Sequence, residues 1–334
     1  MCAVGIRRYG PPEVLENLEV ERPDPAPDGV LIRIAAAGIN PADAYLRAGR
    51  FRFVARQKMP FVPGSDVAGV VEAAGPDAGR FRPGDPVYAM LPSMAGGGYA
   101  GFAATPAAHV APAPPGITLG EAAAVPLAAL TALQALRDKA GLAPGDRVLV
   151  NGASGGVGTF AVQIARAMGA AVTAVTSGRN ADLVRGLGAC EVLDYTREDV
   201  TVGGTRYDVV FDAAGVHPFR RWRRVLNKGG VAVTVNPLLG NPASRLLSRV
   251  GGAKRLESLL VRPDGADLER VGAWISSGDV KPVIERSHPL AEAPDAHRRI
   301  EGRRTRGKIV LVVDQKLAAK RAQIAPVRAI QPMG

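Results

Sequence analysis

The chain has 334 residues, of which 47% are apolar, and its formal net charge is +11. Its length predicts two domains, and no apolar run approaches the roughly 18 residues that a membrane-spanning helix needs. Because residues 1–20 lack the composition of a signal or transit peptide, we expect a soluble cytoplasmic protein.

Metal-ligand patterns are absent from the sequence. Cys2 and Cys190 are the only cysteines, too few for a disulfide framework or a cysteine-rich zinc lobe, and we expect both to be inert thiols. The four histidines have no ligand spacing and are expected to be structural: His109, His217, His288 and His297. We therefore predict no metal site.

The positive charge is concentrated in the last third of the chain. Residues 1–214 carry 19 basic and 21 acidic side chains, whereas residues 215–334 carry 23 basic and 10 acidic ones. Arginines cluster at 220–224 and 298–306, and we interpret both clusters as solvated helix faces. Two alternatives stay open: a field that steers an anionic cofactor or acidic substrate, and nucleic-acid binding, which the low aromatic content of 5% disfavours.

Short β-type runs fill the first 120 residues, for example at 30–34 and 67–71. Proline and glycine pairs, such as Pro63-Gly64 and Pro83-Gly84, separate these runs. This texture predicts a β-rich lobe with irregular connections.

From about residue 123, helices and apolar strands alternate. The predicted strands cover residues 147–151, 171–176, 191–194, 208–212 and 231–235, and a sixth covers 256–261. Such alternation predicts a parallel sheet wound on both faces. After Pro263 we expect a helix over 266–276, a strand near Val283, a helix over 291–303 and a strand over 308–313. The tail 315–334 is either an extra packed segment or loosely held.

Residues 147–158 lead an apolar strand directly into a glycine-rich turn that opens a helix. The apolar side chains of that helix recur at helical spacing on one face: Val157, Phe160, Ala161, Ile164, Ala165 and Met168. This context is typical of the phosphate turn of dinucleotide-binding folds, although Ala153 stands where the plain fingerprint has its first glycine. Gly155 would leave room for the pyrophosphate, Gly158 would allow close helix–strand packing, and free amides would attract the phosphates. We assign to the cofactor Ser154, Gly155, Gly156, Val157 and Gly158.

Six motifs then carry a resemblance to a known family. They are YGPPEVL at 9–15, AAGINPAD at 36–43, PGSDVAG at 63–69, NGASGGVG at 151–158, LGA at 187–189 and GKIVL at 307–311. Together they resemble the zinc-independent branch of the medium-chain dehydrogenase/reductase superfamily, the quinone oxidoreductase and enoyl reductase group. The resemblance covers about residues 3–313, so it leaves the tail unassigned.

This resemblance implies an α/β fold in which a Rossmann-type doubly wound parallel sheet is inserted in a β-rich, GroES-like catalytic domain. The catalytic domain would comprise residues 1–122 and 265–334, and the NADPH-binding domain residues 123–264, with the active site between them. Zinc-using relatives have a cysteine where this chain has Asn40 and a histidine where it has Ser65. Hydride transfer without metal follows from the resemblance.

The cofactor is predicted to be NADPH. The second strand of the nucleotide fold is followed by Ser177 and Arg179, with no acidic residue before Asp182, and a hydroxyl and a guanidinium can hold a 2′-phosphate that a carboxylate would repel. The resemblance adds Tyr195 as a further phosphate contact. We also assign to the cofactor Asp212 and Asn236, with its neighbour Pro237, at the ends of the fourth and fifth strands, and Lys308 of the GKIVL motif.

The resemblance places Asn40, Tyr45 and Thr131 beside the nicotinamide, and we assign all three as catalytic. The Asn40 amide would donate to the oxygen on which negative charge develops, and Tyr45 would position the substrate or relay a proton. A cap role for Asn40, core packing for Tyr45 and helix packing for Thr131 stay open. Many relatives have a second tyrosine where this chain has Phe51, which makes Tyr45 or a water the expected proton donor. Asp43 is expected to orient the loop through Arg47.

The predicted function is reduction of a quinone, or of the C=C bond of an α,β-unsaturated carbonyl, by an NADPH-dependent homodimer without a membrane partner. One alternative is an enoyl-thioester reductase of a biosynthetic pathway. An alternative of another class is a nucleotide-binding regulatory or RNA-associated protein, which the basic last third keeps open. The homodimer would form through the edge strand at 256–261.

Overall fold

The computed structural model describes residues 1–53, 56–236 and 254–322. Their strands form two large sheets and one small hairpin. Within these ranges, no helix is both long and apolar enough to cross a membrane.

The strands, numbered in chain order, are β1 (Cys2–Gly5), β2 (Glu16–Glu19), β3 (Gly29–Ile39), β4 (Asp66–Ala74), β5 (Pro86–Met90), β6 (Phe102–Pro106), β7 (Val110–Pro112), β8 (Arg147–Asn151), β9 (Ala171–Thr176), β10 (Glu191–Asp194), β11 (Tyr207–Asp212), β12 (Leu226–Thr234), β13 (Arg255–Ser258), β14 (Ile284–Pro289) and β15 (Lys308–Val312).

The α-helices are α1 (Pro41–Arg47), α2 (Leu119–Ala122), α3 (Pro126–Gln134), α4 (Gly156–Ala167), α5 (Ala181–Gly186), α6 (Phe219–Trp222), α7 (Gly265–Ser276), α8 (Ala293–Glu301) and α9 (Gln315–Ala318). A π-helical segment, Ala135–Ala140, continues α3.

A mixed sheet joins the two ends of the chain, in the order β14-β15-β3-β4-β5-β7, with β6 also paired to β3. Strand β15 runs antiparallel to β3 and pairs Ile309 with Ile39. Residues from both ends of the chain therefore share one sheet, as the GroES-like fold requires.

The second sheet is entirely parallel and has the order β10-β9-β8-β11-β12-β13. The strand order reverses between β8 and β11, and in such sheets ligands bind beyond the carboxyl ends of the strands at this point. The fold is thus the predicted combination of a Rossmann-type sheet and a GroES-like sheet. The sixth strand is shorter than predicted, because Arg255–Ser258 is followed by Leu260, which is 91% exposed, and by Pro263.

The core of the molecule continues from one sheet to the other. Every side chain of α3 is buried, and this helix packs against α4 on one side and against β4 and β5 on the other. The centre of the face predicted for α4 is buried as well: Phe160, Ala161, Ile164 and Ala165 have no exposed surface, whereas Val157 and Met168 at its two ends are half-buried. Thr131 lies on α3, between the two sheets.

The beginning of the tail packs onto the fold. Helix α9 buries Leu317 and Ala318, and the Leu119 amide donates to the carbonyl of Lys320 at 2.9 Å. Residues up to 322 therefore form the packed segment that was one of the two expectations. The remaining tail residues, 323–334, lie outside the described part of the chain.

Candidate active site

The glycine-rich turn connects β8 to α4 and has the geometry of a phosphate-binding turn. A Cβ at Gly158 would lie 2.1 Å from the carbonyl oxygen of Gly152, so only glycine allows this approach of helix to turn. At Gly155 the nearest atom would be 3.4 Å away, and no side chain caps the first amides of α4. The predicted turn therefore offers open space and unsatisfied N–H groups.

Hydrogen bonds tie the turn to its surroundings. The Ser154 hydroxyl oxygen accepts from Thr176 Oγ1 at 2.8 Å and from Asn180 Nδ2 at 3.1 Å. The Ser154 carbonyl accepts from the Gly307 amide at 2.9 Å. The turn is thus held from both sheets.

Asp212 is buried at the end of β11 and its carboxylate is occupied by the protein. Oδ1 accepts from Asn151 Nδ2 at 2.8 Å and from the Gly215 amide at 2.9 Å, and Oδ2 accepts from Trp222 Nε1 at 3.1 Å. Asn236 Nδ2 donates to the Gly215 carbonyl at 3.2 Å. These side chains shape the loop at the carboxyl edge of the sheet. Pro237, the next residue of the prediction, lies outside the described residues.

Four polar side chains, which we call the outer cluster, lie at the ends of β9 and β10: Ser177, Arg179, Asp194 and Tyr195. Arg179 is exposed, and Tyr195 is 60% exposed. Within the described ranges, Arg179 has no ion-pair partner. Arg179 and Tyr195 therefore present polar groups to solvent, whereas Asp194 pairs with Arg197 at 3.6 Å.

The sequence did not predict Asp194 as a member of this cluster, because Asp194 does not follow β9 directly along the chain. The acid comes from the next strand, where β10 pairs Asp194 with Thr176. Its Oδ2 lies 2.6 Å from the position of a Cβ on Gly178. Hydrogen bonds from Thr196, through side chain and backbone, lower the pKa of Asp194. An ionised carboxylate thus stands beside the groups assigned to the 2′-phosphate.

A second set, which we call the inner cluster, is buried and consists of Asn40, Asp66 and Lys308. The Lys308 ammonium donates to Asn40 Oδ1 at 2.5 Å, to Asp66 Oδ2 at 3.1 Å and to the Ile39 carbonyl at 3.2 Å. Asn40 Nδ2 donates to Asp66 Oδ2 at 3.0 Å. The Asn40 amide is therefore oriented, because its oxygen faces the ammonium and its nitrogen faces the carboxylate.

Lys308 connects the inner cluster to the phosphate turn. It follows Gly307, which bonds to Ser154, and its Cδ lies 3.0 Å from the position of a Cβ on Gly156. We predicted this lysine at the cofactor, and the structure places its charged end on Asn40 and Asp66. Single-sequence patterns held no signal for this contact, which joins residues 268 apart.

Asp43 supports Asn40 from inside α1. Its Oδ2 accepts from the backbone N–H of Asn40 at 2.8 Å, and its Oδ1 accepts from Ser65 Oγ at 3.3 Å. Burial, with the nearby charge of Asp66, raises the pKa of Asp43 to about 7. The carboxyl thus orients the start of the helix, as expected.

The expected partner of Asp43 was wrong. Arg47 is buried and pairs with Glu301, because Asp43 turns back to cap the helix and does not face the residue four positions on. The Tyr99 hydroxyl lies 3.4 Å from Asp43 Oδ2 and 3.1 Å from His297 Nε2. Burial, aided by the charge of Arg47, lowers the pKa of His297 to about 3, so this imidazole is neutral.

The other two predicted catalytic residues also have defined partners. The Tyr45 hydroxyl accepts from Arg303 Nη2 at 3.1 Å, and Phe51 contacts the Tyr45 ring edge-on at a centroid distance of 6.3 Å. Thr131 is buried and donates to the carbonyl of Leu127 at 2.6 Å. Within residues 1–53, 56–236 and 254–322, no group of three or more His, Cys, Asp or Glu side chains could hold a metal ion.

Family models match both parts of the chain. The model described as "Alcohol dehydrogenase GroES-like domain" matches residues 26–115, and the one described as "Zinc-binding dehydrogenase" matches residues 187–311.

Individual proteins are similar over nearly the whole chain. A chloroplastic quinone-oxidoreductase homolog of Spinacia oleracea is 37% identical over 93% of this chain and 98% of its own. The 2-methylene-furan-3-one reductase of Solanum lycopersicum is 34% identical over 91% of this chain and 76% of its own. The crystal structure of Escherichia coli quinone oxidoreductase complexed with NADPH superposes with a TM-score of 0.81, at 26% identity, over 94% of this chain and all of the other.

The two sheets and the phosphate turn define an oxidoreductase with a fold that binds a nicotinamide dinucleotide. The chain belongs to the medium-chain dehydrogenase/reductase superfamily, in its quinone oxidoreductase and enoyl reductase group.

Proposed function

We propose that this protein is an NADPH-dependent reductase that transfers hydride, without zinc, to a quinone or to the C=C bond of an α,β-unsaturated carbonyl. The observation that carries this proposal is the inner cluster beside the phosphate turn. It combines an oriented amide with a buried ammonium, and groups of this kind can stabilise the negative charge that such a reaction develops on oxygen.

The described residues fit NADPH. The phosphate turn offers free amides and an open position at Gly155, and Ser177, Arg179 and Tyr195 offer a hydroxyl, a guanidinium and a phenol for the 2′-phosphate. The Asp194 carboxylate would repel the 2′-phosphate. We therefore expect the preference for NADPH over NADH to reflect the opposing effects of Arg179 and Asp194. When bound, NADPH would supply the hydride.

The side chains of the inner cluster prepare Asn40 for donation. Lys308 holds the amide oxygen and Asp66 takes one N–H of Nδ2, which leaves the second N–H for an acceptor oxygen. The Lys308 charge, close to this N–H, stabilises an enolate or hydroquinone oxygen as it forms.

Tyr45 is the proposed proton donor. Its oxygen accepts from Arg303, so its own proton is available for another acceptor. Phe51 supplies an apolar wall beside it and no second hydroxyl.

Metal-free chemistry is supported by what occupies the positions of the zinc ligands in zinc-using relatives. Asn40 there contacts Lys308 and Asp66, and Ser65 donates to Asp43. At these positions the chain therefore provides the Lys308 ammonium as a positive charge. The family description that mentions zinc belongs to the matching model.

The test is oxidation of NADPH, followed by absorbance, with a quinone, a simple enone and an enoyl thioester, and the same series with NADH. Asn40→Ala is expected to lower kcat by roughly 100-fold, the loss typical of one oxyanion donor, with an unchanged Kd for NADPH. Asn17→Ala, on an exposed strand, is the matched control and should have wild-type kinetics. Absence of oxidation with every acceptor, together with tight and salt-sensitive RNA binding, would overturn the enzyme in favour of the RNA-associated alternative.

We propose the domain division that the sequence predicted, with residues 123–264 as the nucleotide domain and 1–122 with 265–334 as the catalytic domain. Its support is that the parallel sheet uses only strands between Arg147 and Ser258, whereas β14 and β15 join β3. Separate expression of residues 123–264 as a folded NADPH-binding unit is the expected result, and an unfolded product would contradict the division.

We propose a homodimer in which a second copy pairs with β13. This strand is at the edge of the parallel sheet, and the described residues include no strand on its outer side. Leu260, just beyond it, is 91% exposed, an apolar contact that a second copy would bury. Solution scattering should give the mass of a dimer, and Leu260→Lys should shift it toward the monomer; a monomeric wild type contradicts the proposal.

We propose the cytoplasm as the location. Cell fractionation tests it, and recovery of the protein in an organelle would contradict it.

A further inference from the structure

Two guanidinium groups contact Tyr45. One belongs to Arg50, five residues further along the chain, and the other to Arg303, 258 residues away. Arg303 Nη2 donates to the tyrosine hydroxyl oxygen at 3.1 Å, and the Cζ of Arg50 lies 4.7 Å from the centre of the tyrosine ring. Both arginines are exposed. They place two positive charges around one side chain of the proposed active site.

Neither charge is neutralised in the described part of the chain. The neighbouring Arg298 and Arg299 pair with carboxylates, and the buried Arg47 pairs with Glu301. Arg50 and Arg303 have no carboxylate within 4.0 Å among the described residues. Two like charges around one ring repel each other, and an anion between them would remove this repulsion.

The backbone of Arg303 turns at the end of α8. Its φ is +50°, the only positive value for a residue other than glycine in the described ranges. An arginine in the left-handed region is disfavoured, whereas glycine or asparagine would occupy it at little cost. Residue 303 follows the C-terminal end of α8, where a left-handed residue is common, and from this turn its side chain reaches Tyr45.

The distance from the proposed reaction centre suits an elongated acceptor. Asn40 immediately precedes α1 and Tyr45 lies five residues later, a rise of about 7.5 Å along a helix. The phosphates of NADPH are assigned to the phosphate turn and the outer cluster, both on the parallel sheet, so they do not explain charges at Tyr45.

We propose that the acceptor carries an anionic group, a carboxylate or a phosphate, that Arg50 and Arg303 bind while the conjugated C=C bond faces Asn40. This inference rests on the proposed reductase function and names its substrate class. Guanidinium groups suit such oxyanions because they donate paired hydrogen bonds to two oxygens.

The experiment compares each anionic acceptor with a neutral partner that has the same reacting group. The first pair is 4-(3-oxobut-1-enyl)benzoate, in which a ring separates the carboxylate from the C=C bond, and its methyl ester. The second pair is crotonyl-CoA and the crotonyl thioester of N-acetylcysteamine. The variants are Arg50→Gln, Arg303→Asn, which tolerates the left-handed backbone, and the double variant. Arg304→Gln removes an exposed neighbouring guanidinium and is the matched control.

For the anionic acceptor, KM should rise about 10-fold in each single variant and more in the double variant, as expected for lost charge-assisted hydrogen bonds. In Arg50→Gln the neutral partner should keep its kcat/KM. In Arg303→Asn it should lose less than the anionic acceptor does, because the only shared effect is the loss of the donor to the Tyr45 hydroxyl. Fluorescence titration should give an unchanged Kd for NADPH. Discrimination confined to the oxo-acid pair identifies a carboxylate, and discrimination confined to the thioester pair identifies the phosphates of the carrier.

An equal loss on charged and neutral acceptors would overturn the inference, because the arginines would then act by holding Tyr45. No loss in the double variant, or an equal loss in Arg304→Gln, would overturn it too. Wild-type protein that turns over neutral acceptors without preference for anionic ones contradicts this inference alone. A wild type that oxidises NADPH with none of the four acceptors overturns it together with the proposed function.

Discussion

The outer and inner clusters lie at the two ends of the proposed cofactor site and are built in opposite ways. In the outer cluster Arg179 and Tyr195 are exposed, and Arg179 makes no ion pair within the described part of the chain. In the inner cluster Asp66 and Lys308 are buried, at 0% and 3% exposure, and their charged groups have partners within the protein. The outer cluster is therefore expected to change ligand preference at little cost in stability. Changes in the inner cluster are expected to affect fold and chemistry together.

The largest expected effect comes from removing the buried cation. Lys308→Met leaves the Asp66 carboxylate without its ion-pair partner, and we expect a loss of about 3 kcal/mol or more in the free energy of unfolding. Arg166→Met is the matched control at an exposed pair with Asp279 and should cost less than about 1 kcal/mol. Urea denaturation measures both. Equal losses would remove the contrast between buried and exposed charges.

The pH dependence of stability should show two opposing contributions near the inner cluster. Asp43, with its pKa raised from 3.8 to about 7, keeps its proton when folded, so its contribution falls as pH rises through that window. His297, with its pKa lowered from 6.5 to about 3, stays neutral when folded, so its contribution is full above 6.5 and is lost as pH falls toward 3.

In each single variant, the pH dependence of the free energy of unfolding should therefore be that of the remaining group. Asp43→Asn should gain stability relative to wild type as pH rises from about 4 to 7, by up to about 1.4 kcal/mol per pH unit. His297→Gln should lose relative stability as pH rises from about 3 to 6.5. Urea titrations at a series of pH values give both differences. Flat differences across these windows would show that neither group changes its proton affinity on folding.

In the phosphate turn, between the two clusters, we expect Gly158 to affect stability and Gly155 to affect the affinity for NADPH. Gly158→Ala forces a Cβ to 2.1 Å from the Gly152 oxygen, and we expect a destabilisation of about 1–3 kcal/mol. Gly155→Ala meets its nearest atom at 3.4 Å, so it should fold like wild type and bind NADPH at least roughly 10-fold more weakly if its methyl occupies the pyrophosphate position. Melting temperature and NADPH titration distinguish the two. Wild-type affinity in Gly155→Ala would contradict the placement of the phosphates.

The smallest effects should come from the outer cluster and should be confined to cofactor preference. Arg179→Asp is expected to weaken NADPH binding about 10-fold relative to NADH, as a charge-assisted hydrogen bond is lost. Asp194→Asn should shift preference toward NADPH by a smaller factor, because it removes a negative charge next to the same site. Both variants should keep the wild-type melting temperature. Equal changes for NADPH and NADH would exclude these residues from the 2′-phosphate site.

Sequence patterns predicted the fold where the physical signal is local. The strands at 147–151, 171–176 and 191–194 coincide with β8, β9 and β10, because short apolar runs between turn residues define such strands. The glycine turn was recognisable because strand, turn and helix follow one another. The boundary of α8 differed from the predicted 291–303, since a 3₁₀ turn, Leu290–Glu292, precedes it and the helix ends at Glu301.

The site was less predictable because its contacts join distant residues. Asn40 could be identified from its motif, but its bonds to Lys308 and Asp66 depend on the pairing of β15 with β3. Asp194 lies in the outer cluster because β10 pairs with β9, and Asp43 accepts from the backbone N–H of Asn40 at the start of α1 and does not pair with Arg47. The roles assigned to the catalytic and cofactor residues remain predictions.

The pairing of β15 with β3 also sets the order in which the molecule can mature during translation. Asn40 and Asp66 leave the ribosome early, whereas Lys308 follows 268 residues after Asn40, on the order of tens of seconds later at ordinary elongation rates. During that interval the segment of β3 from Ala36 to Ile39 lacks the strand that will cover it, and Asp66 lacks its cation. The nascent chain then has an open sheet edge, of the kind that chaperones shield. Its inner cluster is complete only when almost all of the mixed sheet has been synthesised.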